Sequence, residues 1–176
     1  MIILFYILLS SSLLFSSLVD NSTTILEKKF PNYSIEHYLY KINPKDIKSI
    51  QNNVRQKFFR PELNIWEITK SDTNNYYAIL DNVKGKSLPI TFLVIFDENL
   101  QVYDSEIVKY RESYGGEVKS KSWLNQFIQY NSDSNYKVGD AIDGITGATI
   151  SVKSVTKGIK KLAILISQII NDLHEK

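Results

Sequence analysis

The sequence predicts an α+β fold in which an antiparallel meander sheet is covered by an N-terminal helix and a long C-terminal helix. Consecutive strand-length segments in the middle of the chain are rich in β-branched and aromatic residues. Short turns separate them, and apolar residues recur at helical spacing before and after them. The 176 residues suffice for one domain with its own core.

Residues 1–20 are predicted to be a signal peptide or a membrane anchor. The run from Ile2 to Val19 contains no charged residue, and Asp20 ends it. Its length is near the lower limit for a bilayer-spanning helix, roughly 17–25 residues. Such a run at the N-terminus is more typical of export or anchoring than of a buried core helix. No clear cleavage site follows, so a cleaved signal and an uncleaved anchor both stay open.

Residues 21–43 are predicted to be a polar connector with weak order, because Pro31 and Pro44 interrupt a segment without a clear apolar period. We expect it to hold the following domain, residues 44–176, away from the membrane.

A short amphipathic helix is predicted after the connector. It begins near Asp46, with Asp46 or Asn43 as a cap, and Pro61 stops it. Its apolar residues lie at helical spacing, at Ile47, Ile50, Val54 and Phe58.

Four strands and a long helix follow. The strands are predicted at Ile65–Thr69, Tyr76–Val83, Ile90–Phe96 and Val102–Tyr110. Short turns such as Lys84–Lys86 join sequential neighbours, which favours antiparallel pairing. The helix is predicted from Val152 to Leu173, with an apolar stripe that can cover the sheet.

Composition excludes several classes of function. The chain has no cysteine, so iron–sulfur clusters, thiol redox chemistry, disulfides and a lipoprotein anchor are excluded, and any redox chemistry requires an organic cofactor. The two histidines, His37 and His174, are far apart in sequence, and we expect no metal site. A net charge of +2 without a basic stripe argues against nucleic acid as a partner.

Two glycine-containing stretches interrupt the regular pattern. The first, Arg111–Glu117, follows the fourth strand, and its Gly115-Gly116 pair can serve as a simple turn or let a backbone approach a bound group. The second, Asp140–Ser151, leads into the C-terminal helix, whose free N–H groups and dipole stabilise a phosphate. Lys153 adds positive charge. Alternatively, Thr149 or Ser151 is only the N-cap of that helix.

The second stretch resembles a known family. Asp143-Gly144-Ile145-Thr146-Gly147-Ala148-Thr149 is similar to the flavinylation motif Asp-x-x-Ser/Thr-Gly-Ala-Thr of the FMN-binding domain family, which includes flavoprotein subunits of Rnf complexes and of sodium-pumping NADH:quinone reductase. The resemblance extends from about residue 75 to residue 161 and includes the first glycine stretch. It implies FMN bound as a phosphoester to Thr149, installed from FAD by a magnesium-dependent flavin transferase.

The resemblance also implies a flavin pocket. The Glu-Thr-Pro-Gly-x-Gly stretch of many members corresponds to the segment beginning at Glu112, with Tyr114 in place of the proline. Tyr114, Trp123 and Phe127 are possible neighbours of the flavin ring or, alternatively, core residues. The residues expected to bind the cofactor are Glu112, Ser113, Tyr114, Gly115, Gly116, Ile145, Thr146, Gly147, Ala148, Thr149, Ser151 and Lys153.

Three functional hypotheses follow. The first is an extracytoplasmic electron carrier that exchanges electrons with membrane or periplasmic redox partners and has no catalytic residues of its own, since the flavin supplies the redox chemistry. The second is an extracytoplasmic flavin-dependent reductase that acts on a small substrate. The third is a binding module of the same fold without covalent flavin.

Overall fold

The computed structural model describes residues 17–71 and 74–175 and has the predicted α+β class. One antiparallel sheet has the strand order β1-β2-β3-β4-β5, so each strand pairs with its neighbour in sequence. The strands are β1 Ser34–Lys41, β2 Glu62–Thr69, β3 Tyr76–Lys84, β4 Pro89–Phe96 and β5 Val102–Lys109. The helices are α1 at residues 17–29, α2 Pro44–Val54, α3 Lys121–Leu124 and α4 Thr149–His174.

The register of the sheet defines two ends. β3 and β4 form a hairpin from Tyr77 opposite Phe96 to Lys84 opposite Pro89. In the turn that closes it, the amide of Gly85 donates to the carbonyl of Leu88 at 3.0 Å. The strand ends that lie beside this turn define what we call the Lys84 end of the sheet, namely Lys41, Glu62, Lys84, Pro89 and Lys109.

Helix α4 covers one face of the sheet, as predicted. Its buried stripe packs into the main core together with residues of β3, β4 and α2. Gly158 permits this approach, because a Cβ there would lie 2.7 Å from side-chain atoms of Phe92 and Val83. The helix is longer than predicted and begins at Thr149.

Helix α2 ends earlier than predicted. It stops at Val54 because Arg55 adopts a left-handed conformation with φ of 53°. The following segment, residues 55–59, instead crosses the start of α4, where the Gln56 amide donates to the carbonyl of Ser154 at 2.9 Å.

A buried ion pair joins α4 to the sheet. The Lys161 ammonium is fully buried and lies 2.7 Å from the carboxylate of Asp81 on β3, which is 3% exposed. The same ammonium lies 4.2 Å from the ring centroid of Phe58 and 3.4 Å from the carbonyl of Lys57. One side chain therefore connects α4, β3 and the segment after α2.

The prediction that residues 21–43 form a weakly ordered connector is wrong. They contain most of α1 and all of β1, which pairs with β2 from Ser34 opposite Thr69 to Lys41 opposite Glu62. Leu26 and Phe30 of this region are buried against the second face of the sheet. The apolar signal is weak because α1 contributes few buried side chains and β1 is an edge strand that is mostly exposed.

Most of the predicted leader, residues 1–16, lies outside the described residues. In the ranges 17–71 and 74–175, no helix combines the length and hydrophobicity needed to cross a bilayer.

Candidate functional site

A cavity of about 680 Å³ lies at the Lys84 end of the sheet. It is bounded by the β3–β4 turn, the loop after β5 and the start of α4. Its lining residues are Lys86, Ser87, Glu112, Ser113, Tyr114, Gly115, Glu117, Thr146, Gly147, Ala148, Thr149, Ile150 and Ser151. Both glycine stretches identified in the sequence therefore contribute to one cavity.

The two stretches touch each other at Gly115. This residue has φ of 78°, and a Cβ added to it would lie 2.9 Å from the Tyr110 hydroxyl and 3.0 Å from the Ala148 Cβ. A side chain would therefore strain the backbone and also separate the loop from the entrance of α4.

Tyr110 joins the same two elements through its hydroxyl. The hydroxyl donates to the carbonyl of Tyr114 and lies 3.0 Å from the Ser151 hydroxyl. Because a tyrosine hydroxyl has one proton, Ser151 donates to Tyr110 in this arrangement. Tyr110 thus fixes the loop after β5 against the first turn of α4, a role that its position at a strand end does not reveal in the sequence.

Glu112 holds the third wall of the cavity. Its carboxylate accepts from the amides of Ser87 and Leu88, at 2.6 and 3.0 Å. The hydrogen bonds from Leu88 and then Ser87 hold the pKa of Glu112 below its ordinary value. Glu112 therefore stays charged and positions the β3–β4 turn, which carries Lys86 into the cavity lining.

The start of α4 has no side-chain cap. Ala148 occupies the N-cap position and no side chain bonds the first amides, so the alternative that Thr149 or Ser151 is an ordinary N-cap is wrong. Thr149 is the first helical residue, and it is exposed on the cavity wall. The first amides of a helix have no intrahelical partner, and together with the dipole they favour an anion at this position.

The loop before Thr149 is held by the residues of α3 and the turn after it. The Trp123 indole donates to the carbonyl of Asp143 at 2.9 Å, and the Asp143 amide donates to Gln126 at 2.8 Å. Trp123 and Phe127 are buried in the core and are absent from the cavity lining. Tyr114 lines the cavity and is 86% exposed.

The cavity contains nine of the twelve predicted cofactor-binding residues. Gly116, Ile145 and Lys153 lie outside its lining, and Lys153 instead lines a neighbouring groove. Sequence reasoning missed Lys86, Ser87, Glu117 and Ile150. The motif Lys84-Gly85-Lys86 contains one of them, Lys86, but it indicated only a turn.

We expect Gly115→Ala to destabilise the protein by about 1–2 kcal/mol, because it requires a left-handed alanine in addition to the clash with Ala148. Gly116→Ala is the matched control. Its Cβ would meet nothing closer than 3.5 Å, at the flexible end of Lys119. Urea unfolding of both variants tests this. Equal stability of the two variants would contradict the packing described for Gly115.

The residues at the cavity fit a phosphorylated cofactor such as FMN. The volume of the cavity is within the range of small-molecule sites, roughly 300–1,000 Å³. The exposed residue Thr149, the uncapped helix start and the cationic residue Lys86 lie on its walls. A hydroxyl at this place can carry a phosphoester, and the helix start can stabilise the phosphate.

Comparison with known proteins agrees with this chemistry. A search of curated proteins found no significant match. A family model described as FMN-binding domain matches residues 85–163, a range that includes the turn at Lys86, the loop after β5 and the entrance of α4. Residues 85–163 of this chain are therefore similar to FMN-binding domains.

Proposed function

We propose that this protein is an extracytoplasmic electron carrier with FMN attached covalently to Thr149 as a phosphoester. The observation that carries the proposal is the exposed residue Thr149 at the uncapped start of α4, on the wall of an open cavity within the region similar to FMN-binding domains. The chain has no cysteine, so an organic cofactor accounts for redox activity.

The proposed attachment reaction is balanced. FAD consists of FMN and AMP joined by a pyrophosphate bond. A flavin transferase with bound magnesium moves the FMN phosphoryl group to the Thr149 oxygen, the pyrophosphate bond breaks, and AMP leaves as the hydroxyl proton is lost to a base. Thr149 suits this reaction because it is exposed and forms no cap that the reaction would have to break.

The residues of the cavity have distinct roles toward the cofactor. The first amides of α4 and the Lys86 ammonium stabilise the phosphate. Tyr110 and Glu112 position the surrounding loops. FMN supplies the electron transfer when it is bound, and the protein supplies attachment, orientation and tuning of the potential.

The open form of the cavity supports a carrier over a reductase. Nine of its lining residues are exposed, namely Lys86, Ser87, Ser113, Tyr114, Glu117, Thr146, Gly147, Thr149 and Ile150. Trp123, which would line a deeper substrate pocket, is buried in the core. A substrate-specific site encloses most of its ligand, whereas a carrier needs an accessible flavin edge for its partners.

The cellular setting is also part of the proposal. Residues 1–20 export the domain or anchor it at the outer face of the membrane, where it exchanges electrons with membrane or periplasmic partners. Covalent attachment prevents loss of FMN outside the cytoplasm, where no pool of flavin would replace it.

Reoxidation kinetics test the carrier against the reductase. Flavinylated protein is reduced chemically and mixed with ferricytochrome c or with a panel of small organic two-electron acceptors. We expect rates that rise linearly with acceptor concentration, as in collisional transfer, and Thr149→Ala protein serves as the flavin-free blank. Saturation of the rate by one small acceptor, with rapid multiple turnover, would establish a reductase instead.

A further inference from the structure

A basic groove lies beside the flavin cavity. It has a volume of about 670 Å³ and is formed by residues 55–59, the β3–β4 turn and the first two turns of α4. Its lining contains six cationic residues and no carboxylate. These residues are Arg55, Lys57, Lys84, Lys86, Lys153 and Lys157. Within the part of the chain that the structure describes, none of the six forms a salt bridge.

The groove also exposes apolar side chains. Phe59 and Ile150 line it, and each is 49% exposed. Ile150 and Lys86 line the flavin cavity as well, so the two sites are continuous. A surface that combines lysines with exposed apolar side chains is suited to the interface of an anionic bilayer.

Some of the acidic residues that offset the charge of the groove lie far from it. The whole chain carries a net charge of only +2, so six cations in one groove require acidic residues elsewhere. Asp97 and Glu98 follow β4 at the end of the sheet opposite Lys84, and Asp172 and Glu175 lie at the end of α4. At the Lys84 end itself, Glu62, Glu112 and Glu117 carry negative charge, so the local excess of positive charge is confined to the groove.

Helix α1 begins at this same end of the sheet. Leu18, near the start of the described chain, lines a small pocket together with Phe59 and Arg60. Helix α1 then runs toward the other end, where Phe30 packs against Tyr76 and Tyr103. Leu18 belongs to the uncharged run Ile2–Val19, so the described end of that run lies next to the basic groove.

We propose that the basic groove docks the domain onto a bilayer that contains anionic phospholipid, with the flavin cavity held at the membrane surface. This inference rests on the proposed membrane association of the chain. The lysines attract anionic headgroups within a Debye length, about 8 Å at physiological salt, and Phe59 and Ile150 enter the headgroup region. Electron exchange then takes place at the membrane surface.

Single-cysteine labelling of the full flavinylated chain tests the docking, because the natural chain has no cysteine. An environment-sensitive dye is placed by Asn53→Cys, at an exposed position of α2 near the groove, or by Asn99→Cys, at the opposite end of the sheet. Vesicles of phosphatidylcholine alone are compared with vesicles that also contain phosphatidylglycerol. We expect the dye at position 53 to report an apolar environment only with phosphatidylglycerol at low salt, and the dye at position 99 to report none.

Charge variants provide the matched control. Lys57→Gln with Lys84→Gln should lower the docking constant roughly 25-fold, at about fivefold for each lysine near the surface. Lys28→Gln with Lys48→Gln changes the net charge equally, at exposed positions outside the groove, and should have little effect.

Flotation of the same samples separates docking from attachment. If the protein floats with both vesicle types but the dye at position 53 shows no phosphatidylglycerol-dependent change, the chain is attached to the bilayer and the groove is not docked. This result overturns the proposal and leaves the groove to a soluble anionic partner. Protein that floats with neither vesicle type overturns docking and the proposed membrane association, while the reoxidation test of the carrier stands independently.

Discussion

Thr149→Ala is expected to abolish covalent FMN completely when the protein is produced together with a flavin transferase. The variant removes the oxygen that forms the phosphoester, and no neighbouring hydroxyl takes the same position at the first residue of α4. Thr149 is exposed and caps nothing, so the free energy of unfolding should change by no more than about 0.5 kcal/mol. Intact mass and in-gel flavin fluorescence measure the loss.

Two further variants test whether the loss of flavin is specific to the hydroxyl at position 149. Thr149→Ser keeps the hydroxyl and should retain flavin. Ser113→Ala removes a different exposed hydroxyl from the same cavity and should also retain it. A Thr149→Ala protein that still carries covalent flavin would contradict the assignment of the attachment site, whatever the behaviour of the other two variants.

Lys161→Met is expected to destabilise the fold by about 3–5 kcal/mol, the largest stability effect that the structure predicts. The substitution leaves the Asp81 carboxylate buried without its cation and also removes the contact with the carbonyl of Lys57. Lys157→Met is the matched control on the same helix, because Lys157 is exposed and forms no salt bridge with any described residue. Denaturant unfolding at neutral pH measures both.

The pH dependence of Lys161→Met follows from Asp81. Burial raises the pKa of this carboxyl, and the charge of Lys161 opposes that effect. Without Lys161 the folded-state pKa rises further above the unfolded value, so the folded variant binds a proton more readily. Its stability is therefore retained at low pH and lost as the pH rises through the raised pKa. If the loss of stability in Lys161→Met does not change with pH, the unpaired Asp81 carboxylate is not its cause.

A double variant distinguishes the loss of the ion pair from the penalty of leaving one charge buried without a partner. Lys161→Met with Asp81→Leu replaces both charges by apolar groups and should recover most of the lost stability, since no buried charge remains. A double variant as unstable as Lys161→Met alone would show that packing at Lys161, and not its charge, supports the fold.

The elements predicted correctly from the sequence are those in which apolar residues recur at regular spacing. The strands of the β2–β5 meander and helix α4 alternate or repeat their apolar residues clearly, and the structure confirms the fold class they indicate. Strand β1 was missed because an edge strand with Glu36, His37 and Tyr38 exposes much of its surface and has little apolar alternation. The early end of α2 was missed because nothing in the sequence marks Arg55 as left-handed.

Only part of the candidate site was predicted from the sequence, for a related reason. The two glycine stretches are local signals, and the structure brings them together around Gly115 and Ala148. The positions of Lys86 and Tyr110 depend on contacts between segments far apart in sequence, such as that between Glu112 and the β3–β4 turn. The pairing of Lys161 with Asp81 is likewise long-range, and a lysine in an apolar helix looks like an exposed residue until the sheet is in place.

Peptide mapping of the flavinylated wild-type protein is the most direct measurement of the attachment site. Trypsin cleavage after Lys137 and Lys153 releases residues 138–153, which contain the hydroxyls of Thr146, Thr149 and Ser151. Fragmentation of that peptide should locate the FMN phosphate on Thr149. An unmodified peptide after production with a competent transferase, or FMN on Thr146 or Ser151, would contradict the account.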